Sequence, residues 1–309
     1  MEPSVFLPEG KLLHTPENKR LTASHAALSD AALSGTVLEG VATLCDADHN
    51  LYVALPCMEG FIPHEEGAIG IEEGVTRDIA VISRVGKPVC FVVIGFENTA
   101  NGVRAILSRR RAQEKCQHAY IQHCRKGDII PAKVTRLESF GAFCDIGCGI
   151  AALMPIAGMS VSRISHPADR LSVGMDVYGA VVSNEDGRIC LSQRELLGTW
   201  EQNAAVFRQG ETVMGIVRSE ESYGIFVELS PNLAGLAEPR EGVHAGMAVS
   251  VYIKSILPDK MKIKLIIIDS AGEAPPPAPP AYSITSGHLS RWQYSPDAAV
   301  KCIETVFEE

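Results

Sequence analysis

Residues 127–134 read Gly-Asp-Ile-Ile-Pro-Ala-Lys-Val, and residues 210–217 return them as Gly-Glu-Thr-Val-Met-Gly-Ile-Val. The same offset carries Phe140-Gly141-Ala142-Phe143 onto Tyr223-Gly224-Ile225-Phe226, Asp145 onto Glu228 and Ile146 onto Leu229. A register held over that distance means that the chain is built from copies of one small unit. Its function should be sought in what that unit displays.

Within the unit the residues alternate. Ala142, Cys144 and Ile146 point one way, Phe143 and Asp145 the other; in the later copy Ile225, Val227 and Leu229 oppose Phe226 and Glu228. Successive side chains on a strand face opposite sides, so the all-apolar set is the predicted core face. Phe143 and Phe226 then share a face with a carboxylate, a group that almost never goes fully inside unpaired. Aromatic rings on a wet surface are the expectation. One such ring reads as a rim residue covering a barrel edge; its return in each copy points to use.

A more divergent copy lies upstream. Leu51, Val53 and Leu55 form its core face with Tyr52 opposite, and Gly60-Phe61-Ile62-Pro63 matches Ala152-Leu153-Met154-Pro155. Later in each unit a Gly-x-x-Val step opens a strand, at Gly86, Gly174 and Gly246. Each unit closes on a strand led by a cation: Arg104 before Ile106-Leu107-Ser108, Arg188 before Cys190-Leu191-Ser192, Lys262 before Lys264-Leu265. The third copy lacks a counterpart of residues 162–170, a deletion that a loop absorbs more readily than a strand.

Five short strands in roughly 70 residues, with Gly-rich turns, read as a small closed barrel. An open sheet of that size would expose long unpaired edges. The expected fold class is all-β with helical linkers: three tandem five-stranded barrels at 34–112, 126–195 and 209–270. Two connectors read as helices. Arg109 to Cys124 sets apolar residues at three- and four-residue steps without Gly or Pro, and Gln193 to Arg208 carries Leu196, Leu197, Trp200, Ala204 and Phe207 similarly. As linkers they are bounded at 113–125 and 196–208. Trp200 is expected to dock its helix between barrels, and helical connectors would hold neighbouring barrels in a preferred orientation.

With these elements in place the chain resembles the ribosomal-protein-S1 repeat, an RNA-binding form of the five-stranded oligonucleotide-binding (OB) barrel. The resemblance is carried by Lys126-Gly127-Asp128-Ile129-Ile130, by Phe140 through Gly147, and by Gly187-Arg188-Ile189-Cys190-Leu191-Ser192. It is strongest in the second unit, good in the third and weaker in the first, and covers about residues 34 to 270. In that family two aromatics, a His, an Asp and an Arg make the RNA-binding face. The resemblance implies that Phe140, Phe143 and Arg188 serve in the second unit, Tyr223, Phe226 and Lys262 in the third, and Tyr52 and Arg104 in the first. The polar positions have drifted. Pro155 stands at the His position of the second unit and Asn184 near the Asp position; Glu238 takes the His position of the third. The first unit has His49 at its first aromatic position and Pro63 at its His position. Weaker or more permissive binding is implied.

This inventory suits single strands. Every base offers a π-face, and stacking on an exposed ring contributes on the order of 1–3 kcal/mol with little sequence preference. A neighbouring Arg or Lys meets a phosphate or stacks as a cation, and chaining weak units raises avidity. The formal charge of −9 and pI of about 5.5 lack the basic field of a duplex-DNA binder. Arg109-Arg110-Arg111 is the one dense basic cluster, either the solvated first turn of a linker helix or an RNA contact.

Residues 1–33 read as an extension with a short helix near Ala26 to Leu33, and Met1-Glu2-Pro3-Ser4-Val5 lacks the pattern of a secretory signal. No apolar run reaches membrane-spanning length. Residues 271–309 contain Pro275-Pro276-Pro277-Ala278-Pro279-Pro280, a stiff spacer. Beyond it Tyr282 to Tyr294 is strand-like in part, and Pro296-Asp297 is predicted to open a short helix to Phe307. The aromatics of this tail dock either on the third barrel or on a partner. Nine cysteines without a Cys-x-x-Cys pair fit reduced, structural thiols in the cytoplasm. His64 with Glu65-Glu66 lacks a second His at helical spacing and reads as a solvated loop. The expectation is a cytoplasmic, non-enzymatic protein with no metal or cofactor and no membrane. Its partners are single-stranded RNA or mRNA and the small ribosomal subunit. The alternative is a protein-interaction module docking on ribosome, RNA polymerase or an RNA-processing nuclease.

Overall fold

The alternating segments become strands, and the strands close into barrels. In the computed structural model, which describes residues 6–100 and 102–307, the first barrel comprises β1 (Leu38–Cys45), β2 (Leu51–Ala54), β3 (Glu59–Ile62), β4 (Pro88–Thr99) and β5 (Gly102–Ser108). The second comprises β6 (Ile129–Glu138), β7 (Gly141–Asp145), β8 (Ala151–Pro155), β9 (Asp176–Glu185) and β10 (Arg188–Ser192). The third comprises β11 (Thr212–Glu221), β12 (Gly224–Ser230), β13 (Leu233–Ala237), β14 (Met247–Leu257) and β15 (Lys262–Glu273). All three share one cyclic order: first strand, second, third, fifth, fourth, and back to the first. Third and fifth strands pair in parallel each time, at Gly60↔Ala105, Leu153↔Cys190 and Leu236↔Lys264. One sequence repeat has given one topology three times. Of the residues predicted to face the core, Ala142, Cys144, Ile146, Ile225, Val227, Leu51 and Val53 are buried, and Leu55 and Leu229 pack against it half-buried.

The recurring aromatic-Gly pair has a steric cause. A Cβ on Gly141 would lie 2.5 Å from the Met154 carbonyl oxygen, and one on Gly224 2.6 Å from that of Ala237. No larger residue lets the neighbouring strand approach so closely. The aromatic before each Gly, Phe140 or Tyr223, lies in the tight turn that enters the strand.

The chain forms two compact units, Met1–Cys124 with Asp145–Ala151, and Arg125–Cys144 with Ala152–Glu309. In the first, the N-terminal extension holds two helices, α1 (Pro16–Thr22) and α2 (His25–Ser34), with Thr15 and Ser24 as N-caps. Leu28 and Ala31 of α2 join the core with Leu38 and Phe91. The buried Glu39 carboxylate pins the extension by accepting the backbone N–H groups of Gly10, Leu12 and Leu13 at 2.7–3.0 Å. A short turn, α3 (Ile79–Ile82), precedes β4. The helix after β5, α4 (Arg109–Ala119), starts at once behind its Ser108 cap. Arg109 is buried on Glu9, with Nε–Oε1 at 2.7 Å, and Arg110 pairs with Glu66 and Glu114. Two of the three clustered arginines are thus structural, and Arg111 is exposed. The N-terminal pentapeptide read for a secretory signal lies outside the described residues.

In the second unit two expectations fail. The helix predicted over 193–208 is broken: a 3-10 turn at Arg194–Leu196 gives way to α5 (Trp200–Ala204). Gly198, at φ +84°, reverses the chain, and a Thr199–Gln202 capping box starts the helix anew. Trp200 is buried in the third barrel's core. Nor does a helix run from Pro296 to Phe307; β16 (Arg291–Gln293) and β17 (Glu304–Val306) pair as a hairpin instead. Its loop is held by Ser295, whose hydroxyl accepts the Ile303 N–H at 2.8 Å. Trp292 and Tyr294 of the hairpin sit on the third barrel, while Tyr282, Ile284, Leu289 and Phe307 cover Ile129, Ala180 and Leu196 of the second barrel and its linker. The tail therefore docks within its own unit. Gly127, at φ +88°, is what admits it: a Cβ there would lie 2.1 Å from the Leu289 carbonyl oxygen.

Candidate nucleic-acid interface

The hairpin turns before β7 and β12 set out matching ring pairs. Phe140, 54% exposed, meets Phe143 edge to face with centroids 6.1 Å apart and an interplanar angle of 89°. Tyr223, 64% exposed, meets Phe226 at 6.2 Å and 89°. Phe143 and Phe226 are half-buried, so each anchors an outer ring in a fixed attitude.

One strand earlier a single position sets the inner ring's backbone. The Thr43 hydroxyl donates to the Tyr52 carbonyl at 3.2 Å, and the Thr135 hydroxyl to that of Phe143 at 3.0 Å. In the third barrel this position is Arg218, where the register shifts between Val217 and Ser219. A bulge re-aims the side chain that occupies it. Arg218 is turned to Glu228.

The carboxylates are not on the wet face that the sequence pattern implied. Glu228 is buried, gripped in fork geometry by Arg170 at 2.6 and 2.7 Å and by Arg218 at 2.9 and 3.1 Å. Burial pushes its carboxyl up, but the two guanidinium groups outweigh that and hold it below the ordinary value. In the first unit Asp145 is buried too, accepting the N–H groups of Glu9, Gly147 and Gly149 at 2.7–3.0 Å. A carboxylate goes inside when its partners go with it. The rings expected to share their face remain accessible nonetheless.

Arg170 comes from the 162–170 segment that the third copy lacks. Around it, Val161 N–H donates to Asn232 Oδ1 at 2.9 Å, and fully buried Asn232 donates to the carbonyls of Arg194 and Gly198. The segment is thus a brace. Above it a groove of about 570 Å³ opens, lined by Arg163, Ile164, Arg218, Tyr223 and Phe226 among others. Apolar rings beside cations match what a base and its phosphate require.

In the first barrel the pair is different. Tyr52 meets Phe61, its cross-strand partner, at 5.3 Å and 70°, and Arg104 lies 3.9 Å over the Phe61 ring while bound to Glu97 at 2.7 Å. Phe61 is a site candidate that sequence reasoning missed, although its place between Gly60 and buried Ile62 put it on the outer face. Arg136, 4.7 Å over Phe143, was missed as well. Arg188 and Lys262 are exposed at the heads of β10 and β15. Neither is among the ring–cation contacts of the described residues.

Residues 124–192 match the S1 RNA binding domain family. The chain is 30% identical over 226 residues to the small ribosomal subunit protein bS1 homolog of Bacillus subtilis (strain 168), covering 67% of this chain and 57% of that one. It is 28% identical over 229 residues to bS1 of Rhizobium meliloti (strain 1021), covering 67% and 40%. Against bS1 of Staphylococcus aureus (strain COL) it is 30% identical over 182 residues, covering 53% and 46%. The chain therefore spans about half the length of the relatives it matches. No described helix is long and apolar enough to cross a membrane. Residues 124–192 are an S1 domain, and over about two thirds of its length the chain is homologous to bacterial small ribosomal subunit protein bS1.

Proposed function

We propose that the chain binds single-stranded RNA by stacking bases on the ring pairs of consecutive S1-type barrels, in association with the ribosome and translation. The observation that carries this is the recurrence of one geometry, Phe140–Phe143 and Tyr223–Phe226, with the outer ring of each pair open to solvent. Phe140 and Tyr223 receive bases; Phe143 and Phe226 brace them. Arg188 and Lys262 meet phosphates, and Tyr52 with Arg104 offers a third, weaker station. Similarity to ribosomal bS1 proteins supports the ribosomal setting, with mRNA as the natural strand and the small subunit as a partner. The role is binding rather than catalysis.

Stacking on rings favours unpaired bases, whereas charge alone favours the denser duplex. Fluorescence anisotropy with single-stranded RNA and duplex RNA of equal length, at two salt concentrations, tests this. Tighter binding to the single strand at both concentrations is expected. Equal or tighter binding to the duplex overturns the reading.

A further inference from the structure

The hairpin of β2 and β3 pairs Leu51 with Ile62 and Tyr52 with Phe61. Continued two residues past the strand ends, that register sets His49 opposite His64, and their ring centroids lie 5.6 Å apart. Asp78, just before α3, reaches both: its Oδ1 is 2.8 Å from His64 Nε2 and its Oδ2 3.6 Å from His49 Nδ1. One ligand atom from each of the three residues falls within 4.8 Å of the others. We propose that His49, His64 and Asp78 bind a divalent transition-metal ion of the zinc class.

Ligand atoms 2.0–2.1 Å from a tetrahedral zinc stand about 3.3 Å from one another, so small side-chain rotations convert the observed spacing into a coordination sphere. Two imidazoles and one carboxylate give three protein ligands, the number that leaves a fourth position for water. Imidazole nitrogen selects zinc, copper or nickel over magnesium and calcium. The side chains of His49, His64 and Asp78 are 36%, 33% and 49% exposed, which gives an ion a path in.

The loops carrying the ligands are tied before any ion arrives. Asp46 Oδ1 accepts the N–H groups of Asp48 and Asn50, and Asn50 Oδ1 accepts the N–H of His64 at 2.9 Å. His49 itself is held at φ +62°, a left-handed conformation uncommon outside glycine. His49 stands where the other two barrels carry Phe140 and Tyr223. The first barrel has exchanged a stacking ring for a coordinating one.

Cobalt(II) titrated into the chelator-treated full chain, read by visible absorption, tests the site, with zinc calorimetry alongside. One equivalent should bind with the bands of a nitrogen- and oxygen-ligated ion. His49→Ala, His64→Ala and Asp78→Asn should each lower affinity at least about tenfold, while Cys302→Ser, at an exposed thiol, should leave it unchanged. Asp78 is exposed, so the Asn variant keeps the measurement valid where a His variant misfolds. No saturable uptake by the parent chain, uptake that survives loss of these ligands, or uptake lost in Cys302→Ser overturns the proposal.

Discussion

The first barrel and the second and third share one strand order and almost nothing of their outer faces. In the later two, an exposed ring before a Gly leans edge-on against a half-buried one, at centroid distances of 6.1 and 6.2 Å. In the first, the partner ring comes from across the hairpin and the outer-ring position is an imidazole beside a second imidazole and a carboxylate; a guanidinium over a ring is shared by the first barrel and the second. The position whose missing Cβ lets the strands approach, Gly141 or Gly224 in the later barrels, is Asn50 in the first. The strand order survives that change and the surface does not. The barrel is a scaffold, and what it binds is set by a few positions at its hairpin turns.

The strongest way to break the comparison is at the brace. Arg170→Met removes one of the two guanidinium groups that grip buried Glu228 and leaves Arg218, and losing hydrogen-bond partners of a buried charge costs about 1–3 kcal/mol. Urea denaturation should show the unit holding the third barrel unfolding earlier, with the first unit's transition unmoved. The Tyr223 groove should lose shape with it, so RNA affinity should fall as well.

Acid reaches the same contact by titration. The folded-state pKa of Glu228 lies below its unfolded value of about 4.3. Its contribution to stability is therefore present above about pH 4.3 and lost as pH falls through the folded value. A stability–pH profile should steepen below about pH 4.3 in the parent chain and flatten in Arg170→Met. The first unit carries a counterpart in Glu9, gripped by Arg109 and Arg84 and likewise held below its ordinary value, so the flattening should appear in the transition of the unit holding the third barrel.

The smallest effect should come from the first barrel. Tyr52→Ala should lower single-stranded RNA affinity by less than Tyr223→Ala does, because Tyr52 is half-buried against Phe61 whereas Tyr223 is 64% exposed. Equal losses in the two variants would show that the three faces act alike.

What was legible in the sequence was whatever repeats or alternates. The offset from residue 127 to 210, the core faces through Ala142 and Ile225, and the outer rings all follow from strand periodicity acting on neighbours in the chain. What escaped depended on residues far apart. Glu228 pairs with Arg170, 58 residues away, and Asp145 accepts the N–H of Glu9 from 136 residues away as well as those of nearby Gly147 and Gly149; strand alternation alone shows neither the distant partners nor the local backbone donors. Arg109 looked like a solvated charge because Glu9, 100 residues away, had not yet been brought to it. The tail read as a helix from Pro296, but ladder pairing with β16 and burial of Trp292 and Tyr294 on the third barrel outweighed that local preference. Gly198 sits inside an apolar stripe with helical spacing, and its left-handed φ ends the helix there. His49 and His64 are neighbours only through the hairpin register, which spacing rules for helices do not see.

The central claim, that outward rings receive bases, is tested most directly by Phe140→Ala combined with Tyr223→Ala. Both rings are more than half exposed, so the barrels should keep their stability. Each lost stack is worth on the order of 1–3 kcal/mol, so anisotropy with single-stranded RNA should show affinity falling by at least about thirtyfold while thermal unfolding is unchanged. Unchanged RNA affinity in a folded double variant would contradict the account.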